Sequence, residues 1–429
     1  MQTSLQGIAQ KAKADKRYRF RNLYGALNEE YLHKCWRDIR KDAAHGVDRI
    51  SAGEYEKNLV ANIRDLIVRL KEKRYRAKFV LRKYIPKANG GERPLGIPAV
   101  EDKLVQLAAA RLLEAIYEQD FLECSYGYRP GRNVLQASEE LMRQVQFGAF
   151  NWIVEADIKG YFDSIDHEWL IKMIEQRVDD QAFTRLIRKW LRAGILEKDG
   201  RVIHPVTGTP QGGIVSPILA NIYLHYVLDL WFEKVVKPRL QRGAFLIRYA
   251  DDFVCGFERE SEAKQFEVTL KARLAKFGLS VSEEKTRTLS FKRNEGKERF
   301  DFLGFEYSWG KSRKGFPRVQ RRTARKKLRA SIKRLSDWCK ENRHDGVKNL
   351  IVKLNQKLRG YYAHYGLIGN YESLHQFYTQ VERALYRWLN KRSQRRSLTW
   401  TGLKRLLGKY HLLKPSITQK HLPKQLLLR

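Results

Sequence analysis

The feature that most restricts the fold of this chain is the stretch "FLIRYADDFVCGF", from Phe245 to Phe257. Two short, mainly apolar runs flank the adjacent carboxylates Asp251 and Asp252. The residues between the two runs are so few that they must form a tight turn. This pattern predicts a strand, a turn and a second strand. A turn between buried strands brings its carboxylates to the edge of a sheet. The alternative is a solvated turn, because Asp is a favoured turn residue.

A carboxylate also ends a second predicted strand. In "NWIVEADI", apolar residues alternate with Glu155 and Asp157, as in a strand with one apolar face. Asp157 is therefore a candidate to meet Asp251 and complete a site of hard oxygen ligands for Mg²⁺. Two such ions held by shared aspartates stabilise the attacking and leaving oxygens of a phosphoryl transfer. In this interpretation, the metal relieves the repulsion between the carboxylates.

Charge restricts the partners of the protein. The 429 residues carry a formal net charge of +36, from 84 Lys and Arg against 48 Asp and Glu. This excess indicates a polyanionic partner, with nucleic acid first and an anionic membrane second. No run of about 18 apolar residues is present, which excludes a spanning helix. The four cysteines form no Cys-x-x-Cys pair and the N-terminus has no apolar signal core, so we expect a reducing cytosolic setting.

Hydrophobic periodicity divides the chain. Residues 1 to about 75 have apolar side chains at three- and four-residue spacing, which predicts helices. From Phe79, "FVLRKYIPKANGGERPLGIP" predicts a basic hairpin with a turn at Gly90 and Gly91. Strands and helices then follow each other in segregated segments. The predicted fold class is α+β.

The last quarter of the chain has a different character. From Arg321 to Arg429 there are 27 Lys and Arg against 5 Asp and Glu, so +22 of the total +36 lies there. Three helices are predicted near 322–341, 346–363 and 371–394, with aromatic residues among the bases. This predicts a separate, strongly basic, helical domain. A solvated face is the alternative, but a groove for nucleic acid better accounts for the size of the excess.

Six segments, in order, resemble the successive blocks of group II intron reverse transcriptases: "IPKANGGERPLGIP", "SYGYRPGRN", "ADIKGYFDSID", "TPQGGIVSPILANIYL", "RYADDFV" and "FDFLGF". Further along, "RGYYAHYG" and "RRSLTW" resemble the maturase domain of the same family. The resemblance implies a right-hand polymerase with fingers to about residue 140, a palm with an antiparallel sheet to about 310, and an all-helical basic thumb. The implied domains are an N-terminal helical extension and start of the fingers at 1–75, fingers and palm at 76–310, and thumb and maturase at 311–429.

The resemblance also implies a catalytic centre. Asp157, Asp251 and Asp252 match the family's catalytic aspartates, and these three together with Ile158 are implied to hold two Mg²⁺ ions. The reaction implied is two-metal nucleotidyl transfer.

Further residues match the family's contacts to the incoming nucleotide: Lys87, Arg93, Phe162, Gln211 and Lys285. Lys87 and Arg93 are implied to bind the triphosphate, Phe162 to exclude a 2′-hydroxyl by its bulk, Gln211 to lie against the nascent base pair, and Lys285 to lie near the leaving pyrophosphate. Without the resemblance, Phe162 has a core aromatic residue as its alternative, and the basic hairpin has a solvated hairpin as its alternative.

Two other sets of residues are expected to contact nucleic acid, the first from the resemblance and the second from the excess of basic charge. The residues matching template or primer contacts are Arg129, Gly212, Gly213, Leu303 and Gly304. The residues expected to bind RNA in the thumb are Arg392, Arg395 and Arg396, in "NKRSQRRS". Solvated arginines are the alternative for this second set.

The implied function is RNA-directed DNA synthesis together with binding of intron RNA and assistance to its splicing and mobility. The implied partners are an RNA template and an RNA–DNA duplex, deoxynucleoside triphosphates, a structured group II intron RNA and target DNA, without a membrane, in a bacterial cytoplasm. The His, Asn and Cys cluster of an HNH-type endonuclease is not found, so priming from existing ends is expected. The alternatives are a domesticated relative in DNA repair or phage defence, and a protein that is chiefly an RNA-binding splicing cofactor.

Overall fold

The computed structural model describes residues 4–86, 91–210, 212–293, 298–312, 314–393 and 398–419. The chain forms two compact units, one of Met1–Leu141 and Ala149–Leu289 and the other of Met142–Gly148 and Ser290–Arg429. None of the described helices combines the length and the apolar character needed to cross a membrane.

The first unit begins with the predicted helices, which are α1 (Leu5–Ala14), α2 (Glu29–Trp36), α3 (Ala52–Lys57) and α4 (Leu59–Lys71). Ser51 starts α3 with a capping box, in which Ser51 and Glu54 each bind the other's backbone N–H. Helix α4 buries one stripe of apolar side chains, including Ile63, Leu66 and Leu70. The buried side chains of all four helices belong to the main hydrophobic core of the unit.

A small sheet follows, made of β1 (Val80–Pro86), β2 (Glu92–Ile97), β4 (Ile195–Leu196) and β5 (Val202–Ile203), in the order β2-β1-β4-β5. Strands β1 and β2 pair antiparallel with Leu81 opposite Ile97, which confirms the predicted hairpin. The connecting residues 87–90 lie outside the described residues.

The second sheet holds the aspartates. Its strands are β3 (Trp152–Asp157), β6 (Ala244–Tyr249), β7 (Asp252–Phe257) and β8 (Arg287–Ser290), in the order β6-β7-β3-β8. Strands β6 and β7 pair antiparallel with Tyr249 opposite Asp252. Strand β7 is buried from Phe253 to Phe257, because it lies between two neighbours. The predicted strand, turn and strand are confirmed.

The helices that lie between these strands along the chain are α5 (Val100–Tyr117), α6 (Val134–Phe147), α7 (Tyr161–Ser164), α8 (His167–Ile174), α9 (Gln181–Leu191), α10 (Ser216–Leu224) and α11 (Glu260–Lys276). All belong to the first unit except the end of α6, which is part of the second unit from Met142. Helix α10 continues into two π-helical turns, His225–Asp229 and Phe232–Val236. Such turns are rare and occur often at functional sites. Helices and largely antiparallel sheets in separate segments confirm the α+β class.

The second unit combines a sheet with helices. Its further elements are β9 (Arg299–Phe302), β10 (Phe305–Lys311), β11 (Pro317–Thr323), α12 (Arg325–Glu341), α13 (Val347–Tyr365), α14 (Tyr371–Leu389) and α15 (Trp400–Lys409). The three predicted basic helices are confirmed as α12, α13 and α14. Helix α15 is additional, and its apolar side chains Leu403 and Leu407 are buried.

One expectation about this part of the chain needs correction. The region from 311 onward was predicted to be all helical, but β11 pairs with β10 over its whole length. Val319, Arg321 and Thr323 alternate as buried residues along β11. Arg321 is itself basic, and Arg322 lies between two of these buried residues, so the two-residue period does not show as an alternation of apolar residues in the sequence. The compact second unit includes the chain from Ser290 onward, and the predicted domain boundary at 311 stays a prediction.

Candidate active site

Three aspartates lie together at one end of the second sheet. Strands β3 and β7 pair antiparallel with Asp157 directly opposite Asp252. Directly opposite residues of such a pair point to the same face, so the two carboxylates are neighbours. Asp251 precedes Asp252 in the turn from β6, and the charge of Asp157 acts on its carboxyl group. The structure therefore brings together the aspartates that the sequence predicted to meet.

The turn that carries Asp251 is held in an uncommon conformation. Ala250 has a φ of 58°, in the left-handed region that side chains other than glycine rarely adopt. The backbone of Gly127 packs against it so closely that a Cβ on Gly127 would collide with the Ala250 nitrogen. Residues in such conformations persist only where their surroundings hold them, and they cluster at active sites.

The carboxylates repel each other. Burial, and then the charges of Asp157 and Asp251, raise the pKa of Asp252 to about 8. Burial is the main cause that raises the pKa of Asp251, and the charge of Asp157 adds to it. The Lys285 ammonium donates to Asp157 Oδ2 at 2.7 Å, and this bond raises the pKa of Lys285. One ammonium bound to one of three carboxylates leaves a site that favours additional positive charge.

The donor chemistry of this site fits a divalent cation. Within the ranges that the structure describes, no group of three or more His, Cys, Asp or Glu side chains is arranged as a ready-made metal site. The available donors are nonetheless carboxylate oxygens, which Mg²⁺ prefers, and a cation would relieve the repulsion that raises the pKa of Asp252. Ile158, a predicted ligand, follows Asp157 with a buried side chain and bridges to Val281.

Phe162, predicted to lie under the sugar, belongs to a segment that backbone hydrogen bonds hold in place. It lies in α7, which Gly160 starts with a φ of 55°. Thr209 N donates to Phe162 O at 2.7 Å, and Gly208 N donates to Ile165 O at 2.7 Å. The Phe162 ring is half-buried and meets the ring of Tyr128 edge to face, with centroids 6.2 Å apart.

Tyr128 is a site residue that the sequence reasoning missed. It has a φ of 56° and is 49% exposed. Burial is the main cause that raises its pKa, to which the charge of Asp251 adds and which the charge of Arg93 opposes. Tyr128 is therefore close to Asp251, Arg93 and Phe162 together. An aromatic residue in the glycine-containing loop "SYGYRPGRN" was the available signal.

Arg129, from the same loop, was predicted to contact template or primer, and the structure corrects this. Its side chain is 4% exposed and forms an ion pair with Glu118 at 3.0 Å. Its Nη1 donates to the carbonyl oxygens of Leu122 and Ser125 at 2.8 Å each. A guanidinium with its donors engaged internally braces this loop rather than contacting a nucleic acid.

The remaining predicted residues of the first unit lie on the basic hairpin, which comprises β1 and β2, and in the segment that contains Gly212 and Gly213. Arg93 is exposed on β2, and its charge partly offsets the rise in the pKa of Asp251 that burial causes. Gly212 has a φ of 114°, and a Cβ there would lie 2.5 Å from the oxygen of Gly96 on β2. Gly213 N donates to Pro210 O at 3.0 Å. The predicted residues Lys87 and Gln211 lie outside the described residues.

In the second unit, Leu303 and Gly304 form the two-residue turn between β9 and β10, with φ of 53° and 85°. Positive φ at both positions matches the twist of a tight hairpin. Arg392 Nη2 donates to Asp345 O at 2.8 Å, and burial lowers the pKa of Arg392. The predicted RNA-binding residues Arg395 and Arg396 lie outside the described residues.

Comparison with known families gives two matches. Residues 85–307 match the family described as reverse transcriptase (RNA-dependent DNA polymerase). Residues 325–407 match the family described as group II intron, maturase-specific domain.

Similar curated proteins come from bacteria and yeast. The chain is 32% identical over 400 residues to the group II intron-encoded protein LtrA of Lactococcus lactis subsp. cremoris, covering 73% of this chain and 65% of that protein. It is 32% identical over 349 residues to protein YkfC of Escherichia coli (strain K12), covering 73% of this chain and 89% of that protein. It is 31% identical over 355 residues to an uncharacterized 91 kDa protein in a cob intron of Schizosaccharomyces pombe, covering 67% of this chain and 43% of that protein. The chain thus spans 65% of the length of the Lactococcus relative.

Proposed function

Because this chain belongs to the family of group II intron reverse transcriptases and maturases, we propose that it is an RNA-directed DNA polymerase that also binds intron RNA and assists its splicing and mobility. The observation that carries the polymerase proposal is the opposed pair Asp157 and Asp252 with Asp251 in the adjoining turn. Burial and mutual repulsion raise the pKa of Asp252 to about 8, as expected where carboxylates are arranged to bind a cation.

Asp157, Asp251, Asp252 and the backbone of Ile158 are the groups we propose to hold two Mg²⁺ ions. Bound there, the ions would supply Lewis-acid stabilisation of the attacking and leaving oxygens of nucleotidyl transfer. The protein's contribution is to keep the carboxylates fixed at the ends of β3 and β7 before the reaction. Lys285, which donates to Asp157, is a candidate to move to the leaving pyrophosphate when that carboxylate changes partner.

Selection of the substrate falls to residues around this centre. We propose that Phe162 lies beneath the deoxyribose and excludes a 2′-hydroxyl by contact. Arg93, whose charge partly offsets the rise in the pKa of Asp251 that burial causes, would bind the triphosphate together with Lys87. Gln211, Gly212 and Gly213 would face the nascent base pair. The substrates are then deoxynucleoside triphosphates paired to an RNA template.

The maturase proposal rests on the second unit. Residues 325–407 match the maturase-specific domain, and the segment from Arg321 to Arg429 holds +22 of the net charge. A dense positive surface binds phosphates by releasing their counterions, which suits an intron RNA, an RNA–DNA duplex and target DNA. The bacterial relatives support a bacterial cytoplasm as the place of action.

The polymerase proposal is tested by Asp251→Asn in primer extension on an RNA template with Mg²⁺. Extension should fall by orders of magnitude because the amide is a poor metal ligand, whereas filter binding of RNA should persist in a protein of net charge +36. Asp65→Asn is the matched control, since the Asp65 side chain is 66% exposed and pairs with Arg69 at the surface. Wild-type extension by Asp251→Asn would remove the site assignment.

The same variant separates the two proposed roles. Intron splicing at low Mg²⁺ should proceed normally with Asp251→Asn, because RNA binding does not need the carboxylates. Loss of splicing together with extension would mean that the two activities share one site. A polymerase that never stimulates splicing, encoded without a flanking intron RNA, would instead favour a domesticated enzyme of repair or phage defence.

A further inference from the structure

A second charge pair, fully buried, lies next to the aspartate turn and has no part in the proposed chemistry. Arg248 and Asp229 are both 0% exposed. Arg248 Nε and Nη2 donate to the two carboxylate oxygens of Asp229 at 2.7 and 2.6 Å. This two-pronged geometry is among the strongest forms of a charged hydrogen bond.

The rest of the guanidinium is also satisfied. Its Nη1 donates to Asn221 Oδ1 at 3.0 Å and to Ala250 O at 3.1 Å, and its Nη2 donates to Ser125 Oγ at 2.7 Å. With Asp229, these acceptors use all five N–H donors of an arginine. Five hydrogen bonds to buried acceptors hold this guanidinium in place.

The acceptor Ala250 O links the pair to the active site. Ala250 is the turn residue with a φ of 58°, and Asp251 follows it directly. The Arg248 backbone adds two bonds to the neighbouring loop, with Arg248 N donating to Cys124 O at 2.8 Å and Tyr126 N donating to Arg248 O at 2.9 Å. Asn221 Nδ2 closes the network by donating to Gly127 O at 2.7 Å.

The network therefore joins three elements at one point: the aspartate turn, the loop that leads to Tyr128, and the end of α10 with its π-helical turn. We propose that Arg248 and Asp229 are a positioning pair, which holds the strained Ala250–Asp251 turn so that the three carboxylates are set for the reaction. This inference rests on the proposed polymerase function for its rate measurement. It does not assign a catalytic role to either residue, since both side chains are fully buried.

Stability alone does not explain such a pair. Removing two charges from water is costly, and apolar residues of similar volume often replace a buried pair without loss of stability. Apolar residues cannot, however, donate to Ala250 O or Ser125 Oγ. The pair is therefore expected to matter for the geometry of the turn more than for folding.

The decisive variant is the double replacement Arg248→Met with Asp229→Leu, which removes the hydrogen bonds and keeps a similar volume. Its matched control is Arg177→Met with Asp120→Leu, because Arg177 is another buried arginine of the same unit and pairs with Asp120 at 2.9 Å. Arg177 also holds backbone carbonyls, those of Ala12, Asp15 and Tyr18. None of these belongs to the aspartate site.

Three measurements are compared: the melting temperature, the single-turnover extension rate at saturating primer–template, and hydrogen exchange of a peptide containing Tyr249 to Asp252. We expect both double variants to stay folded with similarly lowered melting temperatures, because each leaves acceptors without a donor. Only the Arg248 double variant should exchange faster at the turn and lose about 100-fold in rate with unchanged primer–template affinity. The control double variant should keep the wild-type rate and the wild-type exchange at the turn.

If the Arg248 double variant does not fold, Arg248→Lys takes its place, because a lysine keeps the charge but has three donors and cannot serve the same acceptors. Wild-type rate and wild-type exchange in a folded Arg248 variant would overturn the positioning role. A wild-type protein that makes no DNA would refute the proposed function, and exchange at the turn would still decide the role of the pair.

Discussion

Asp229 and Asp252 are two aspartates of the first unit whose surroundings are opposite. Asp229 is buried and receives two hydrogen bonds from Arg248. Asp252 instead faces Asp157 and Asp251, and burial with these like charges raises its pKa to about 8. One carboxylate is bound by an arginine, whereas the other faces mainly like charges, which the charge of Lys285 offsets only in part.

This difference separates structural from functional polar groups in the molecule. A side chain whose donors and acceptors are satisfied internally has nothing left for a ligand, as in Arg248 and Arg129. A polar group that is buried or held without enough partners costs stability and retains binding capacity. Four experiments test whether this distinction holds, in order of the expected effect.

The largest effect is expected when each carboxylate becomes an amide. Asp229→Asn should lower the free energy of unfolding by about 3–5 kcal/mol, because it leaves the Arg248 cation buried without its counter-charge. Asp252→Asn should leave stability unchanged or raised at pH 8 in metal-free buffer, because it removes a repelled charge. Urea unfolding of both variants measures this. Equal losses of unfolding free energy in the two variants would contradict the proposed difference between Asp229 and Asp252.

The second experiment follows the pH dependence of stability. The folded pKa of Asp252 is about 8, above its ordinary value of 3.8, so the folded state binds more protons between these pH values. Protonation of Asp252 therefore stabilises the folded state, fully so below pH 3.8, and this contribution is lost as pH rises through 8. Between these values the free energy of unfolding should fall by up to about 1.4 kcal/mol per pH unit. Metal-free Asp252→Asn should have a smaller slope, to which Asp251, whose pKa burial also raises, still contributes. Parallel profiles for wild type and variant would contradict the assignment.

The third experiment compares neighbouring aromatic residues. Phe162→Val should admit ribonucleotides and reduce deoxynucleotide use only moderately, and Tyr128→Ala should act in the same direction more weakly by freeing the Phe162 ring. Tyr161 is the satisfied contrast, since it is 2% exposed and donates to Ala220 O. Tyr161→Phe should cost about 1 kcal/mol of stability without changing sugar choice. Competition assays with mixed ribonucleotides and deoxynucleotides measure sugar choice in each variant. Altered sugar choice in Tyr161→Phe would contradict the distinction between internally bonded and available side chains.

The smallest effect concerns the bases of the second unit. Arg329, Lys333 and Arg383 are exposed along a groove of about 650 Å³ between α12 and α14. Changing all three to Gln should flatten the dependence of log affinity for RNA on log salt. The slope should change by up to about 0.7–0.9 for each RNA phosphate that the variant no longer neutralises.

Arg392 is the matched comparison, because its guanidinium already donates to Asp345 O. Arg392→Gln should change the salt dependence less than replacement of any one of the exposed bases. The predicted partners Arg395 and Arg396 can be added to this variant to test the expected RNA-binding cluster. An unchanged slope in the Arg329, Lys333 and Arg383 variant would mean that this groove does not hold RNA.

Several features of the protein follow from local sequence alone. Alternating apolar residues on either side of Asp251 and Asp252 produced the hairpin, and the three- and four-residue spacing produced α12, α13 and α14. The ends of β3 and β7 are defined by their own residues, so the meeting of Asp157 with Asp252 was predictable once the strands were paired. Patterns of this kind report short-range geometry, which each segment carries in itself.

Only the tertiary structure decided which polar side chains are open. Arg129 and Arg248 both lie in motifs next to the site, and nothing in their local sequence shows that Glu118 and Asp229 bind them. The contact of Tyr128 with Phe162 and the strand at Pro317–Thr323 likewise depend on partners distant in sequence or on a period concealed by charge. A charged residue looks the same in sequence whether it is solvated, paired or available to a ligand, because that outcome depends on which distant groups the fold brings within hydrogen-bonding distance.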